Sequence, residues 1–145
     1  YLGIRFELNY GIGAIVAVIH DATVALGLTV LLGYEINLVT VAAVLTLIGY
    51  SVNDTIVIFD RIRETLQTNA RKTKIEIIDE AINATLSRTF ITTLATLFVV
   101  LSIMLYGGGS IHDFAVTLFI GMIAGTYSTI FIAAPILVEL DRKKV

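Results

Sequence analysis

The chain has 145 residues, 57% of them hydrophobic and only 15% charged, with a mean hydropathy of +0.89 and a formal net charge of −2. Soluble domains carry about 25% charged residues, so too few charges remain to coat a globule, and lipid is the expected solvent for most of the chain. Cysteine is absent, which excludes thiol catalysis, disulfides and Cys-ligated metals. His20 and His112 are too few and too scattered for a zinc site, and no clustered basic surface speaks for a nucleic-acid partner; no cofactor is expected.

Tyr1–Phe6 is apolar but for Arg5 and lacks the basic start of a signal peptide. Residues 1–7 read as the end of an earlier helix, and the chain as a C-terminal piece of something longer. Four apolar segments follow, at 10–32, 38–60, 86–106 and 114–140. Each exceeds the ~20 residues needed to cross a hydrocarbon core of about 30 Å. The connections Gly33–Asn37 and Gly107–Asp113 are short and Gly-bearing, so they join antiparallel neighbours. Between the second and third spans, Thr73 and Glu76 form a capping-box signature. Ile75, Ile78, Ile82 and Leu86 recur there at helical spacing, which predicts an amphipathic helix over 73–85 lying on the membrane surface and leading into the third span. The expected fold is a single all-α transmembrane bundle over 1–145: four full spans, the end of a fifth, and a cytoplasmic interfacial helix.

All ten Lys and Arg residues fall before the first span, between the second and third or at the near end of the third (Arg88), or after the fourth. The positive-inside rule makes those parts cytoplasmic, the C-terminus included.

Asp54 is the costly residue. It lies inside the second span, ~9 Å from its cytoplasmic end at 1.5 Å per residue, and intramembrane carboxylates line ion paths, proton relays or tight polar contacts. Ala42, Ala43, Thr46, Gly49, Tyr50, Asn53, Asp54 and Val57 recur three and four residues apart. This small, weakly polar stripe is expected to face protein, with Leu45, Leu47, Ile48, Ile56 and Ile58 covering most of the rest. The third span offers Thr85, Arg88, Thr89, Thr92, Thr93 and Thr96, with Arg88 at a depth similar to Asp54. Burial disfavours a charged carboxylate and a nearby guanidinium favours it, so a changing separation of Asp54 and Arg88 would load or unload a proton. A static ion pair, or Arg88 snorkelling to headgroups, fits the residues equally.

His20 and Asp21 in the first span are accessory polar candidates, as is Thr55; for the first two a hydrogen-bonded packing contact is the plainer reading. Gly121 and Gly125 form a GxxxG packing signal, and Gly49 is a third packing candidate. Asp60-Arg61-Ile62-Arg63-Glu64 closes the second helix with charges normal for a span boundary. Neither the Gly-x-Gly-Asp pattern of intramembrane aspartyl proteases nor a Gly-x-Ser-x-Gly nucleophile motif is present, and no Walker A loop. The chain is expected not to be an enzyme and to draw on a gradient.

The stretch GYSVNDTIVIFDRIRE, Gly49–Glu64, resembles the signature of the SecF family of protein-export membrane subunits, whose sister family SecD carries the Asp at the place of Asn53. His20-Asp21, Leu86-Ser87-Arg88-Thr89, Gly107-Gly108 and Gly125-Thr126-Tyr127-Ser128 extend the resemblance over essentially the whole chain. It implies membership in the resistance-nodulation-division superfamily and a place in the bacterial or archaeal plasma membrane. Implied partners are SecD, the SecYEG translocon, preprotein through parts outside this chain, and lipid. Implied function is coupling of the proton-motive force to export, with the positions of Asp54 and Arg88 implicated in proton passage and Asn53 beside them. Sodium coupling suits the same oxygens. The alternatives are the membrane half of a lipid or drug exporter of that superfamily, or a non-conducting assembly module.

Overall fold

A computed structural model describes residues 8–68 and 73–142. Five α-helices follow one another: α1 Leu8–Leu31, α2 Leu38–Thr68, α3 Lys74–Tyr106, α4 Ser110–Ser128 and α5 Ala134–Arg142. A π-helical stretch, Thr129–Ala133, joins α4 to α5. These elements make four helices long and apolar enough to cross a membrane, the last running Ser110–Leu140 through the π stretch. No strand occurs among the described residues. The expected helix end over 1–7 lies outside them, as do Arg5, Arg71, Lys72, Lys143 and Lys144.

The chain reverses where local chemistry demands it. Gly33 adopts φ +86° after α1, a conformation open chiefly to glycine. Its N–H and that of Tyr34 reach the carbonyls of Val30 and Thr29 at 2.9 and 3.1 Å. Asn37 then opens α2, its Oδ1 accepting from the N–H groups of Val39 and Thr40 at 2.9 and 3.1 Å. Thr73 and Glu76 close the expected capping box at the start of α3.

Of the four spans, α4 packs against each of the other three, and its face is correspondingly the most buried. Small residues permit this closeness, since lipid provides no hydrophobic drive for helix association. Ala14, Ala17, Ala25, Ala43, Ala133 and Ala134 are buried. At Gly13 a Cβ would stand 3.0 Å from the Ala133 carbonyl. Toward the basic end, Tyr10 meets Phe59 edge-on at 5.1 Å, with Ile62 and Leu137 in the same cluster. Ile15, Ile19, Phe90, Ile91 and Phe98 point outward, the apolar coat a lipid-facing surface requires.

Two expectations need correction, and a third gains its bounds. The stretch over 73–85, expected to lead into the third span, joins it without a break: Lys74–Tyr106 is one continuous helix. No Gly or Pro interrupts that stretch, and Ile77, Ile78, Ala81 and Thr85 are buried, while Ile75 and Leu86 are exposed. The second span does not stop near Asp60 but continues to Thr68, with Ile62 and Thr65 still buried. The buried face of α2 is also rotated from the expected stripe. Leu47 and Ile58 are core, whereas Ala42, Thr46, Gly49 and Asn53 are exposed in this chain. The reason is reciprocal packing: the small partner of α2 is Gly121 on α4, and it takes a large side chain, Leu47.

Pro135 sits at the start of α5. A proline inside a helix lacks one donor and crowds the preceding turn; the π stretch immediately before it widens that turn.

Candidate functional site

Asp54 stands midway along α2, 8% exposed. Arg88 comes from α3, and the two side chains line one cavity of about 70 Å³ with Tyr50, Asn53, Val57, Thr89 and Thr92. Tyr50 Oη donates to Thr93 Oγ1 at 3.2 Å and ties α2 to α3 next to this cavity. Thr92 turns its hydroxyl back to the carbonyls of Arg88 and Thr89 at 3.0 and 3.1 Å. Among the described residues Asp54 and Arg88 make no direct ion pair. A water claims about 30 Å³ of liquid volume, so the space between carboxylate, guanidinium and hydroxyls is of a size that water can fill.

A second, polar pocket of about 480 Å³ continues from the first toward the basic end, lined by Val57, Asp60, Arg61, Glu64, Ala84, Thr85 and Arg88. Val57 and Arg88 belong to both walls. Arg61 is held by Glu64 at 2.7 Å, which leaves Arg88 as the guanidinium standing between the two spaces. The arrangement can change charge at a buried carboxylate, move or hold a cation, and exchange with the polar end through the larger pocket.

His20, Asp21 and Thr55 do not join this site. Asp21, with no exposure, accepts from Ser51 Oγ at 2.6 Å, and His20 Nδ1 lies 3.1 Å from its other oxygen. The single proton of Thr55 Oγ1 is shared between the Ser51 carbonyl at 3.0 Å and Thr129 Oγ1 at 3.3 Å. Thr129 in turn donates to the Gly125 carbonyl at 2.8 Å. The His20 ring is 6.4 Å from that of Tyr127.

The glycines also divide. A Cβ on Gly121 would fall inside the Leu47 side chain, and one on Gly125 would lie 3.4 Å from both Asp21 Oδ2 and Ser51 Oγ. Gly49 meets nothing within 4 Å in this chain. Sequence reading passed over Ser51 and Thr129 as functional candidates. The signals were faint: Ser51 precedes Asp54 by three residues, and Thr129 follows Gly125 by four, but their partners lie on other helices. Among the described residues no three His, Cys, Asp or Glu side chains cluster as metal ligands.

The family model "Protein export membrane protein SecD/SecF, C-terminal" matches residues 1–143. The protein translocase subunit SecF of Rickettsia prowazekii is 51% identical over 144 residues, 99% of this chain and 46% of that protein. That of Rickettsia felis is 50% identical over 144 residues, 99% and 47%. The chain thus spans about half the length of the curated relatives it matches. The crystal structure of SecDF from Thermus thermophilus, a translocon-associated membrane protein, superposes with a TM-score of 0.94 at 40% identity, over 98% of this chain and 20% of that one.

Proposed function

The chain belongs to the SecD/SecF protein-export family, and from that premise we propose that it is the membrane half of a SecF-type subunit. With SecD it couples the proton-motive force to preprotein translocation by the SecYEG channel, acting as an energy-coupling subunit and not as an enzyme. The observation that carries this reading is the cavity that Asp54 and Arg88 line together without touching. A permanently paired couple would have no reason to stay apart in a low-dielectric interior; a couple with water between them can exchange a proton and re-pair.

In this mechanism ionised Asp54 draws Arg88 toward it, while the protonated carboxyl releases the guanidinium, which stays charged throughout. Asn53 and Thr92 supply neutral oxygens beside the carboxylate. The basic end is cytoplasmic, so the larger pocket with Asp60 and Glu64 forms the cytoplasmic mouth. Ala42, Thr46, Gly49 and Asn53 run exposed along α2 up to the site; small and weakly polar, they suit close approach by a neighbouring helix, which SecD supplies. Preprotein is handled by parts beyond this chain. The driving force is ample, ~2.3 kcal/mol per charge per 100 mV.

The test is export of a preprotein by the reconstituted parent complex, with and without an imposed gradient. Asp54→Asn is expected to abolish gradient stimulation and leave gradient-independent export in place. Undiminished stimulation in an assembled Asp54→Asn complex would overturn the relay and leave a structural assembly role. Imposing a sodium gradient in place of a proton gradient decides which ion is coupled.

A further inference from the structure

Asp21 poses a problem that the relay does not absorb. It is a carboxylate with no exposure in the middle of a span, it does not line the Asp54 cavity, and such a group is costly in a membrane. Gly125 approaches it closely: a Cβ there would meet Asp21 Oδ2 and Ser51 Oγ at 3.4 Å. What Asp21 does hold is α2. Ser51 donates to it at 2.6 Å, within the range of charge-assisted O–H···O bonds.

One turn further along the same face, Thr55 meets Thr129 at 3.3 Å, and Thr129 is fastened to the Gly125 carbonyl at 2.8 Å. Ser51 and Thr55 bracket Asp54 in height, and Asp54 lies about 60° and about 100° around the helix from them. Any rotation of α2 that swings Asp54 away from α3 must break both attachments. Directional hydrogen bonds in a low-dielectric interior add to the resistance that packing offers to such a rotation.

We propose that Asp21 is a positioning residue: through Ser51, and with the Thr55–Thr129 contact as a second fastening, it fixes the rotation of α2 so that Asp54 opens onto the cavity shared with Arg88. His20 supports Asp21 from the same helix at 3.1 Å. The consequence for coupling rests on the relay reading; the mechanical role does not.

The two are separated by reading Asp54 directly. The full-length protein in complex with its SecD partner is treated in proteoliposomes with dicyclohexylcarbodiimide, which captures protonated carboxyls in apolar surroundings, and the Asp54 peptide is quantified by mass spectrometry across pH. Arg88 from α3 and Tyr50 from α2 are the charged and titratable side chains sharing its cavity. Ser51→Ala and Thr129→Val are each expected to change the modification rate at a given pH by about five-fold, the factor represented by one net hydrogen bond. Gradient-stimulated export falls with them, and Thr129→Ser, which keeps the hydroxyl, restores the wild-type profile.

Profiles of Ser51→Ala and Thr129→Val that superimpose on wild type overturn the proposal, whatever Asp54→Asn does to export. Displaced profiles together with intact stimulation in Asp54→Asn uphold the brace and sink the relay. Loss of assembly with SecD in all three variants, Thr129→Ser included, makes the band a folding element and overturns the positioning role.

Discussion

Gly121 shows how a single missing methyl sets the packing of a span. A Cβ there would occupy the space of the Leu47 side chain, which is fully buried and has nowhere to retreat. Gly121→Ala is therefore expected to destabilise the bundle by about 1–3 kcal/mol, the usual cost of overpacking. Reversible unfolding from mild detergent into a denaturing one measures it, and in a double-mutant cycle with Leu47→Ala the two losses should be less than additive. Gly125→Ala meets its neighbours only at 3.4 Å and should cost less; Gly49→Ala enters open space and should cost nothing measurable in this chain. The same scale governs Arg88. Its role in the proposed relay needs a charge that never titrates, which guanidinium guarantees and ammonium does not. Arg88→Lys is expected to keep part of the gradient-stimulated export and Arg88→Ala none; full activity in Arg88→Ala would remove the arginine from the mechanism.

At the scale of elements, α3 is the instructive case. Its capping box was legible because Thr73 and Glu76 carry their meaning within four residues, and both bonds form, Thr73 N–H to Glu76 Oε2 at 2.8 Å and Glu76 N–H to Thr73 Oγ1 at 3.4 Å. Thr73→Ala should cost about 1 kcal/mol, visible as faster amide exchange confined to the first turn of α3. That this helix leads into the span was legible too; where it leaves the surface was not, since a surface helix and a span share one period and differ only in which neighbours cover them. The spans themselves and the packing role of Gly121 and Gly125 could be read from composition and spacing. The rotated buried face of α2 could not, because small residues such as Gly49 and Ala42 signal close approach without saying by which helix. Likewise Asp54 and Arg88 were visible as charges out of place. Ser51 and Thr129 were not, as a hydroxyl in a helix usually bonds its own turn, and only the tertiary fold brings Ser51 to Asp21, thirty residues away.

For the whole molecule, polarity decides what the site can mean. Among the described residues Arg61, Arg63, Lys74 and Arg88 gather at one end of the bundle, while the loops around Gly33 and Gly108 at the other carry no Lys or Arg. The larger polar pocket opens at that basic end and reaches the Asp54 cavity through Arg88. If the basic end is cytoplasmic, as the charge bias predicts, this pocket connects Asp54 to the cytoplasm, and the proposed relay needs its route to the opposite side completed by other helices. The chain contains no cysteine, and Gln67 and Gly108 are both exposed, so single cysteines at these positions in a cysteine-free parent report sidedness directly. An impermeant maleimide should label Gly108→Cys in right-side-out vesicles and Gln67→Cys in inverted ones. The reverse pattern would turn the pocket outward, exchange the entry and exit sides of the proposed path, and require Asp54 to be loaded from the basic end rather than emptied into it.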